Sequence, residues 1–335
     1  MRILLTPNLP QRVRALAHEL LPASCTLEIL AASQPGYDQA VAAADCIMGL
    51  PRVRFDADFL ARAPRLALIQ LLRAGYELID LAATERAGIQ VATIGDIHAG
   101  AVAEHCLLLM LALGRKLRWQ HDAVVHGAWF MAKPWQLPSG DVDSVPEVEL
   151  DGLTGRMLGI VGVGQIGARV AQLARAFGMT VQGVVRHPDE VTRAEVPLVS
   201  LATLLATSDV VSLHLPLSSE TARIMNGEAF ARMRRGSYLI NTSRGELVDE
   251  TALVGALASG QLAGAGLDTL QREPPSPDHA LLGRPDVLLT PHTAWLTLES
   301  WRRMLTFGFA NIERFRAGQA LDSQLRPARP AGIDR

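Results

Sequence analysis

One stretch of twelve residues limits the folds open to this chain more than any other: GIVGVGQIGARV, residues 159–170. An apolar run stops at Gly162, further glycines follow at 164 and 167, and a helical pattern takes over. In such a turn Gly162 permits the sharp reversal and Gly164 lets a pyrophosphate approach the main chain. Gly167 lets the helix pack closely on the strand. The helix start, at Gln165 and Ile166, offers N–H groups without intrahelical partners and the positive end of the helix dipole. A bare GxGxxG is weak evidence; between an apolar strand and a helix it points to a dinucleotide site. A tight strand-to-helix turn without a ligand is the other reading.

The rest of the chain repeats the same alternation. RILLT, CTLEIL, DCIMGL, LALIQL and IQVAT read as strands near the N-terminus, with PQRVRALAHELL and DADFLARA as helices between them. A second series runs from RMLGIVGVGQIG through TVQGVV, DVVSLHL, SYLINT and AGAGLD to DVLLTPH. This rhythm means parallel sheets with crossover helices, an α/β chain. With 335 residues, two domains are expected. Residues 99–126 read as one long helix, so apolar around its circumference near 106–113 that it should be buried. The irregular stretch 127–150 reads as a connection, and a last helix is expected from Thr297 to Ala317. The polar tail RPARPAGIDR is expected to be mobile.

Charge and composition remove several classes of partner. A net charge of −2 gives no basic field for nucleic acid, and 5% aromatic residues argue against a base-stacking platform. No apolar run reaches the ~18 residues of a membrane span. Cys25, Cys46 and Cys106 are far apart, which suits neither a zinc site nor a disulfide framework and fits the cytoplasm. No metal site is expected, since the histidines and acids show no ligand spacing. Only Lys116 and Lys133 are lysines among 32 basic residues, so an arginine carries little weight by its type alone.

VQGVVRHPDE, residues 181–190, bears on which dinucleotide. An acid about 20 residues past the glycine turn would accept the ribose hydroxyls of NAD. Here the strand ends at Val185, followed by Arg186 and His187. An arginine attracts a 2′-phosphate that an acid would repel, so the pair favours NADP over NAD. The other reading makes Arg186 one more arginine in an arginine-rich chain.

Three further stretches each follow a strand: NTSRGELVDE (241–250), GLDTLQREPPSPDHALL (266–282) and TPHTAWLT (290–297). Ligands of open parallel sheets bind beyond the carboxyl ends of the strands, so Arg244, Glu273 and His292 could meet at a nicotinamide. Hydride addition to a carbonyl leaves an alkoxide that a histidine can protonate. A carboxylate beside it stabilises the imidazolium, and an arginine binds a substrate carboxylate and polarises a ketone. Taken singly, His292 could be a loop histidine, Glu273 a solvated acid and Arg244 a structural ion pair. His105, on the apolar helix, reads as a satisfied packing residue.

These stretches, with LLRAGYELIDL (71–81), AVAEHCLLLMLALGRKL (101–117) and VSLHLPLSSETARIMN (211–226), resemble the D-isomer-specific 2-hydroxyacid dehydrogenase family over nearly the whole chain. The resemblance implies two doubly wound parallel-sheet domains, a Rossmann cofactor domain (99–295) inserted into a flavodoxin-like substrate domain (1–98 with 296–335). It implies Arg244 as substrate anchor, His292 as acid/base and Glu273 as its partner, with the backbone of Ala74 and Gly75 receiving the substrate carboxylate. It also implies that Asp268 meets the nicotinamide carboxamide, that Thr242 and Pro216 border the cofactor, and that a homodimer forms through the helix near 101–117. The chain departs from the family pattern at Glu77, where aspartate is commoner, at the missing acid beside Val185, and at Trp295. That tryptophan could narrow the substrate pocket, face a partner subunit or be a core aromatic.

The reading that follows is an NAD(P)H-dependent reductase of a small 2-keto acid such as glyoxylate or hydroxypyruvate. The alternatives are a phosphite-type dehydrogenase, which keeps an Arg/Glu/His set, and a dinucleotide-sensing protein like the corepressors of this superfamily.

Overall fold

The computed structural model describes residues 1–95, 97–126, 150–186 and 195–326. The chain divides into two compact units, Met1–His98 with Leu296–Arg335, and Ala99–Trp295. Residues 127–149 of the expected connection and 327–335 of the polar tail lie outside the described residues.

The first unit begins β1 (Arg2–Thr6), α1 (Gln11–Glu19), β2 (Thr26–Ile29), α2 (Tyr37–Ala43), β3 (Cys46–Gly49), α3 (Ala57–Ala61), β4 (Leu68–Leu71), α4 (Leu81–Arg86) and β5 (Gln90–Ala92). Parallel strands stand in the order β5-β4-β3-β1-β2, the flavodoxin order. β3 and β4 are buried along their whole length, because helices cover both faces of such a sheet. Asp56 and Asp80 start α3 and α4 by accepting the amides of Phe59 and Ala83, which would otherwise lack partners.

The second unit contains α5 (Ala99–Gly114), α6 (Leu117–Val125), β6 (Met157–Val161), α7 (Gln165–Ala176), β7 (Thr180–Val184), α8 (Leu201–Thr207), β8 (Val210–Leu213), α9 (Gly227–Arg232), β9 (Ser237–Asn241), α10 (Glu250–Ala258), β10 (Leu262–Leu267) and β11 (Val287–Leu289). Its sheet is wholly parallel, β11-β10-β9-β8-β6-β7. A one-residue bridge from Leu198 to Gly183 adds the start of a further edge beyond β7, completing the Rossmann order. β6 leads one way to β7 and the other way to β8, so the order switches at β6. Glycine turn, β8 loop and β9 loop all lie at the carboxyl edge there.

The single helix expected over 99–126 is two. Lys116 adopts φ +47, and its N–H closes on Leu113 O, ending one helix before the next begins at Leu117. Asp151 N donates to Gly114 O at 2.7 Å, so the returning chain occupies the place where α5 would have continued. The expected burial of α5 holds for Val102, Cys106, Leu109, Met110 and Leu113, which pack in one core with α7 and the sheet.

The first unit is completed by α11 (Leu298–Arg316) and β12 (Gln324–Leu325). β12 pairs antiparallel to β5 and so becomes an edge of the first sheet. Buried Asn311 of α11 donates to Gln70 Oε1 of β4 at 2.8 Å and to Asp322 O at 2.9 Å. Thr297 caps α11 at the Ser300 amide.

Candidate active site

The glycine turn has the shape that the sequence requires of it. Gly162 has φ +101, and a Cβ there would lie 2.6 Å from His214 O at the end of β8. A Cβ on Gly167 would stand 2.3 Å from Gly162 O, so α7 sits as close to the turn as backbone permits. Gly164 differs: its backbone is extended and a Cβ would meet nothing within 4 Å. The turn is thus closed toward the protein and open at Gly164, where α7 begins with the amides of Gln165 and Ile166. A free approach to main-chain donors at a twelve-residue helix fits a pyrophosphate.

At the end of β7, Val185 packs against the core of this unit and Arg186 turns outward. Arg186 Nη2 lies 2.8 Å from Glu220 Oε1 in the loop after β8, with both side chains more than half exposed. His187 lies outside the described residues. Pro216, in the same loop as Glu220, is exposed, and its carbonyl accepts from Thr221 Oγ1. Burial lowers the His214 pKa to about 4, so this imidazole is neutral, with Nε2 2.9 Å from Ser212 Oγ.

The end of β9 is held by a turn of side chain to backbone bonds. Asn241 Nδ2 donates to Arg244 O, Asn241 Oδ1 accepts from Ser243 N, and Ser243 Oγ donates to Leu215 O. Thr242, buried, has its hydroxyl 3.0 Å from Cys106 Sγ. Arg244 is half-buried and precedes Gly245, where a Cβ would fall 2.0 Å from the Leu270 carbonyl carbon. That contact sets the arginine's turn directly against the loop after β10, three residues before Glu273.

The loops after β10 and β11 supply the other two members. His292 Nδ1 and Glu273 Oε2 are 2.8 Å apart, with side chains 43% and 39% exposed. Glu273 is oriented by the Leu270 amide on its other oxygen. A carboxylate only accepts, so Nδ1 carries the hydrogen and Nε2 is the nitrogen left for proton exchange. Asp268, 2% exposed, accepts from Thr290 Oγ1, Thr293 N and Ala294 N. Its own carbonyl accepts from His292 N at 2.8 Å. Trp295 packs against the same core, and its indole N–H donates to His292 O, a position that fits the core-aromatic reading.

Ala74 and Gly75 lie after β4 in the first unit, Ala74 exposed and Gly75 half-buried. Among the described residues no group of three His, Cys, Asp or Glu side chains could hold a metal ion. No helix of the described residues is long and apolar enough to cross a membrane. Sequence reasoning missed two pairings: His105, expected as a satisfied packing residue, contacts Thr290, and Glu220 meets Arg186. The quoted AVAEHC and SSET motifs contain the two residues, and neither states a pairing.

Residues 107–294 match the D-isomer specific 2-hydroxyacid dehydrogenase, NAD binding domain. The chain is 32% identical over 339 residues to a glyoxylate reductase of Korarchaeum cryptofilum, covering 99% of each. It is 34% identical over 275 residues to a hydroxypyruvate reductase of Blautia hydrogenotrophica, covering 82% of this chain and 81% of that protein. Among solved structures, TT0316 protein from Thermus thermophilus superposes with TM-score 0.83 at 34% identity, covering 97% of this chain and all of that one. With the glycine turn, the Rossmann order and the histidine–glutamate pair in place, the chain belongs to the D-isomer-specific 2-hydroxyacid dehydrogenase family and is an oxidoreductase that uses a nicotinamide dinucleotide.

Proposed function

We propose that this enzyme reduces a small 2-keto acid of the glyoxylate and hydroxypyruvate class to the D-2-hydroxy acid, with NADPH preferred. The observation that carries the reading is the 2.8 Å contact of His292 Nδ1 with Glu273 beside the turn of Arg244. Relatives named glyoxylate reductase and hydroxypyruvate reductase support the substrate class. The bound nicotinamide supplies the hydride. Arg244 binds the substrate carboxylate and polarises the ketone. In the first unit, the family resemblance gives the backbone of Ala74 and Gly75 as donors suited to a carboxylate. His292 gives the alkoxide its proton from Nε2, and Glu273 stabilises the imidazolium from which that proton leaves. Gly162, Gly164, Gln165, Ile166 and Gly167 would hold the pyrophosphate. Thr242 and Pro216 would border the dinucleotide, and Asp268 would serve its carboxamide. The inserted unit is then the cofactor domain, and the unit with both chain ends is the substrate domain.

The NADPH preference rests on Val185 and Arg186 standing where an acid would serve NAD. The ion pair with Glu220 is exposed on both sides and worth less than about 1 kcal/mol, so a phosphate dianion can draw the guanidinium away. A homodimer through the helix near 101–117 is supported by exposed Leu108 and Leu117. Three cysteines without disulfides fit the cytoplasm.

The test is purified enzyme with NADPH or NADH against glyoxylate, hydroxypyruvate, pyruvate and bulkier 2-keto acids, and with phosphite in the oxidative direction. Turnover of a 2-keto acid, faster with NADPH, is expected. Tight dinucleotide binding with no acid turned over would replace this reading by a sensor.

A further inference from the structure

α5 is apolar on almost every side, yet it carries His105, with only 15% of its side chain exposed. Its Nε2 lies 2.9 Å from Thr290 Oγ1, which in turn lies 2.6 Å from Asp268 Oδ1. The direction of each bond follows from counting hydrogens. A carboxylate has only lone pairs to offer, and both oxygens of Asp268 accept main-chain amides, those of Thr293 and Ala294. Thr290 therefore gives its single hydroxyl hydrogen to Asp268. Its oxygen is left as an acceptor, so the hydrogen between His105 and Thr290 belongs to Nε2 of the histidine.

Every anchor in this chain falls on the loop that carries His292. Thr290 precedes it by two residues, and Thr293 and Ala294 follow it. His292 itself has φ +56, a region a non-glycine residue enters only where its surroundings hold it. Its N–H is fixed to Asp268 O at 2.8 Å and its carbonyl to the Trp295 indole at 3.2 Å. With 43% of the His292 side chain exposed, little packing remains to aim the ring at Glu273. The loop's own clamp must do it.

We infer that His105 and Thr290 are positioning residues for His292: the relay His105–Thr290–Asp268 fixes the 290–294 loop so that the imidazole stands against Glu273. The inference rests on the reading of His292 as the acid/base.

Four variants of the full chain test it: Thr290→Val and His105→Leu, which break the relay, and Thr290→Ser and His105→Gln, which keep a hydroxyl and a side-chain donor. Ring resonances of His292 are read by NMR without nucleotide, assigned by their loss in His292→Asn. The Kd for NADPH, kcat and KM are measured alongside. Thr290→Val and His105→Leu are expected to move or broaden the His292 resonance and to lower kcat by about 10- to 100-fold, the scale of a misplaced reacting group. KM and the NADPH Kd stay within about threefold, as for a group acting in the chemical step. Serine and glutamine restore both signals. Unchanged resonance and kcat in the relay-breaking variants would overturn the inference, and so would serine and glutamine variants no better than valine and leucine. Should Thr290→Val not fold, the His105 pair decides by the same criteria. If the wild-type enzyme turns over no acid, the acid/base reading fails, while the resonance still reports whether the relay holds the ring.

Discussion

Replacing Gly164 with alanine separates what the glycine turn does for the fold from what it does for a ligand. On the fold side the added methyl group meets nothing within 4 Å, and the residue's φ of −81° with an extended ψ is open to alanine. Restricting the unfolded chain favours the folded state by about 0.4–1 kcal/mol. Alanine at a helix N-cap costs a similar amount. The two nearly cancel, so the melting temperature should move by less than about 4 °C for a domain of this size. On the ligand side the methyl occupies the approach to the first amides of α7. Loss of one charge-assisted hydrogen bond to the pyrophosphate costs about 1.5–3 kcal/mol, a ~10- to 150-fold rise in Kd. NADH and NADPH should suffer alike, because both carry the same pyrophosphate. Gly167→Ala is the contrast: its Cβ would lie 2.3 Å from Gly162 O, and overpacking should cost stability by about 1–3 kcal/mol. Nucleotide fluorescence titration gives the Kd values, and thermal unfolding by circular dichroism gives the melting temperatures. A Gly164→Ala protein that binds both dinucleotides within twofold of wild type would refute the placement of the pyrophosphate. One that melts far lower would refute the open space.

The remaining expectations concern single side chains. Arg186→Ala should weaken NADPH by about 1.5–3 kcal/mol and leave NADH nearly unchanged, whereas Glu220→Gln, by releasing Arg186, should tighten NADPH by less than about 1 kcal/mol; equal effects on both cofactors in titration would remove the pair from 2′-phosphate recognition. Glu273→Gln keeps an acceptor for His292 Nδ1 but removes the charge; with both side chains about two-fifths exposed, the loss in kcat/KM should stay near tenfold, the low end for a charged hydrogen bond, and steady-state rates unchanged from wild type would contradict the partnership. His214 holds its folded-state pKa at about 4 against an ordinary 6.5, so the native state stays neutral where the unfolded chain takes up a proton. The linked stability is complete above pH 6.5 and declines as pH falls toward 4, by up to about 3 kcal/mol. Urea unfolding across that window should show the decline in wild type and a flatter one in His214→Phe.

Much of this architecture can be read from residue order alone because parallel strands covered on both faces are buried throughout and mostly apolar, as β3, β4, β8 and β9 are. The glycine turn is legible for a related reason: only glycine fits at 162 and 167, so the sequence cannot hide it. The helix break is not legible. Arg115, Lys116 and Leu117 are all ordinary helix formers, and the left-handed conformation of Lys116 is set by the chain returning at Asp151. His105 is obscured by its neighbours, since a helix apolar on all sides has no periodicity to say which way a polar residue points. The Arg186–Glu220 pair joins residues 34 apart in two loops, where no period exists to count. β12, two residues long, is too short for alternation to reveal it.

The interleaving of the two units bears on synthesis. The chain from Ala99 to Trp295 is one uninterrupted piece, whereas the first sheet takes β12 and the Asn311 clasp on Gln70 from beyond residue 296. A ribosome working from the N-terminus delivers β1 to β5 long before the strand that closes them and the helix that shields Gln70. During that interval β5 offers an unpaired backbone to any passing strand. The nascent protein should be most prone to aggregate while its later unit is still being translated, and a chain cut short just before α11 should keep that vulnerability for good.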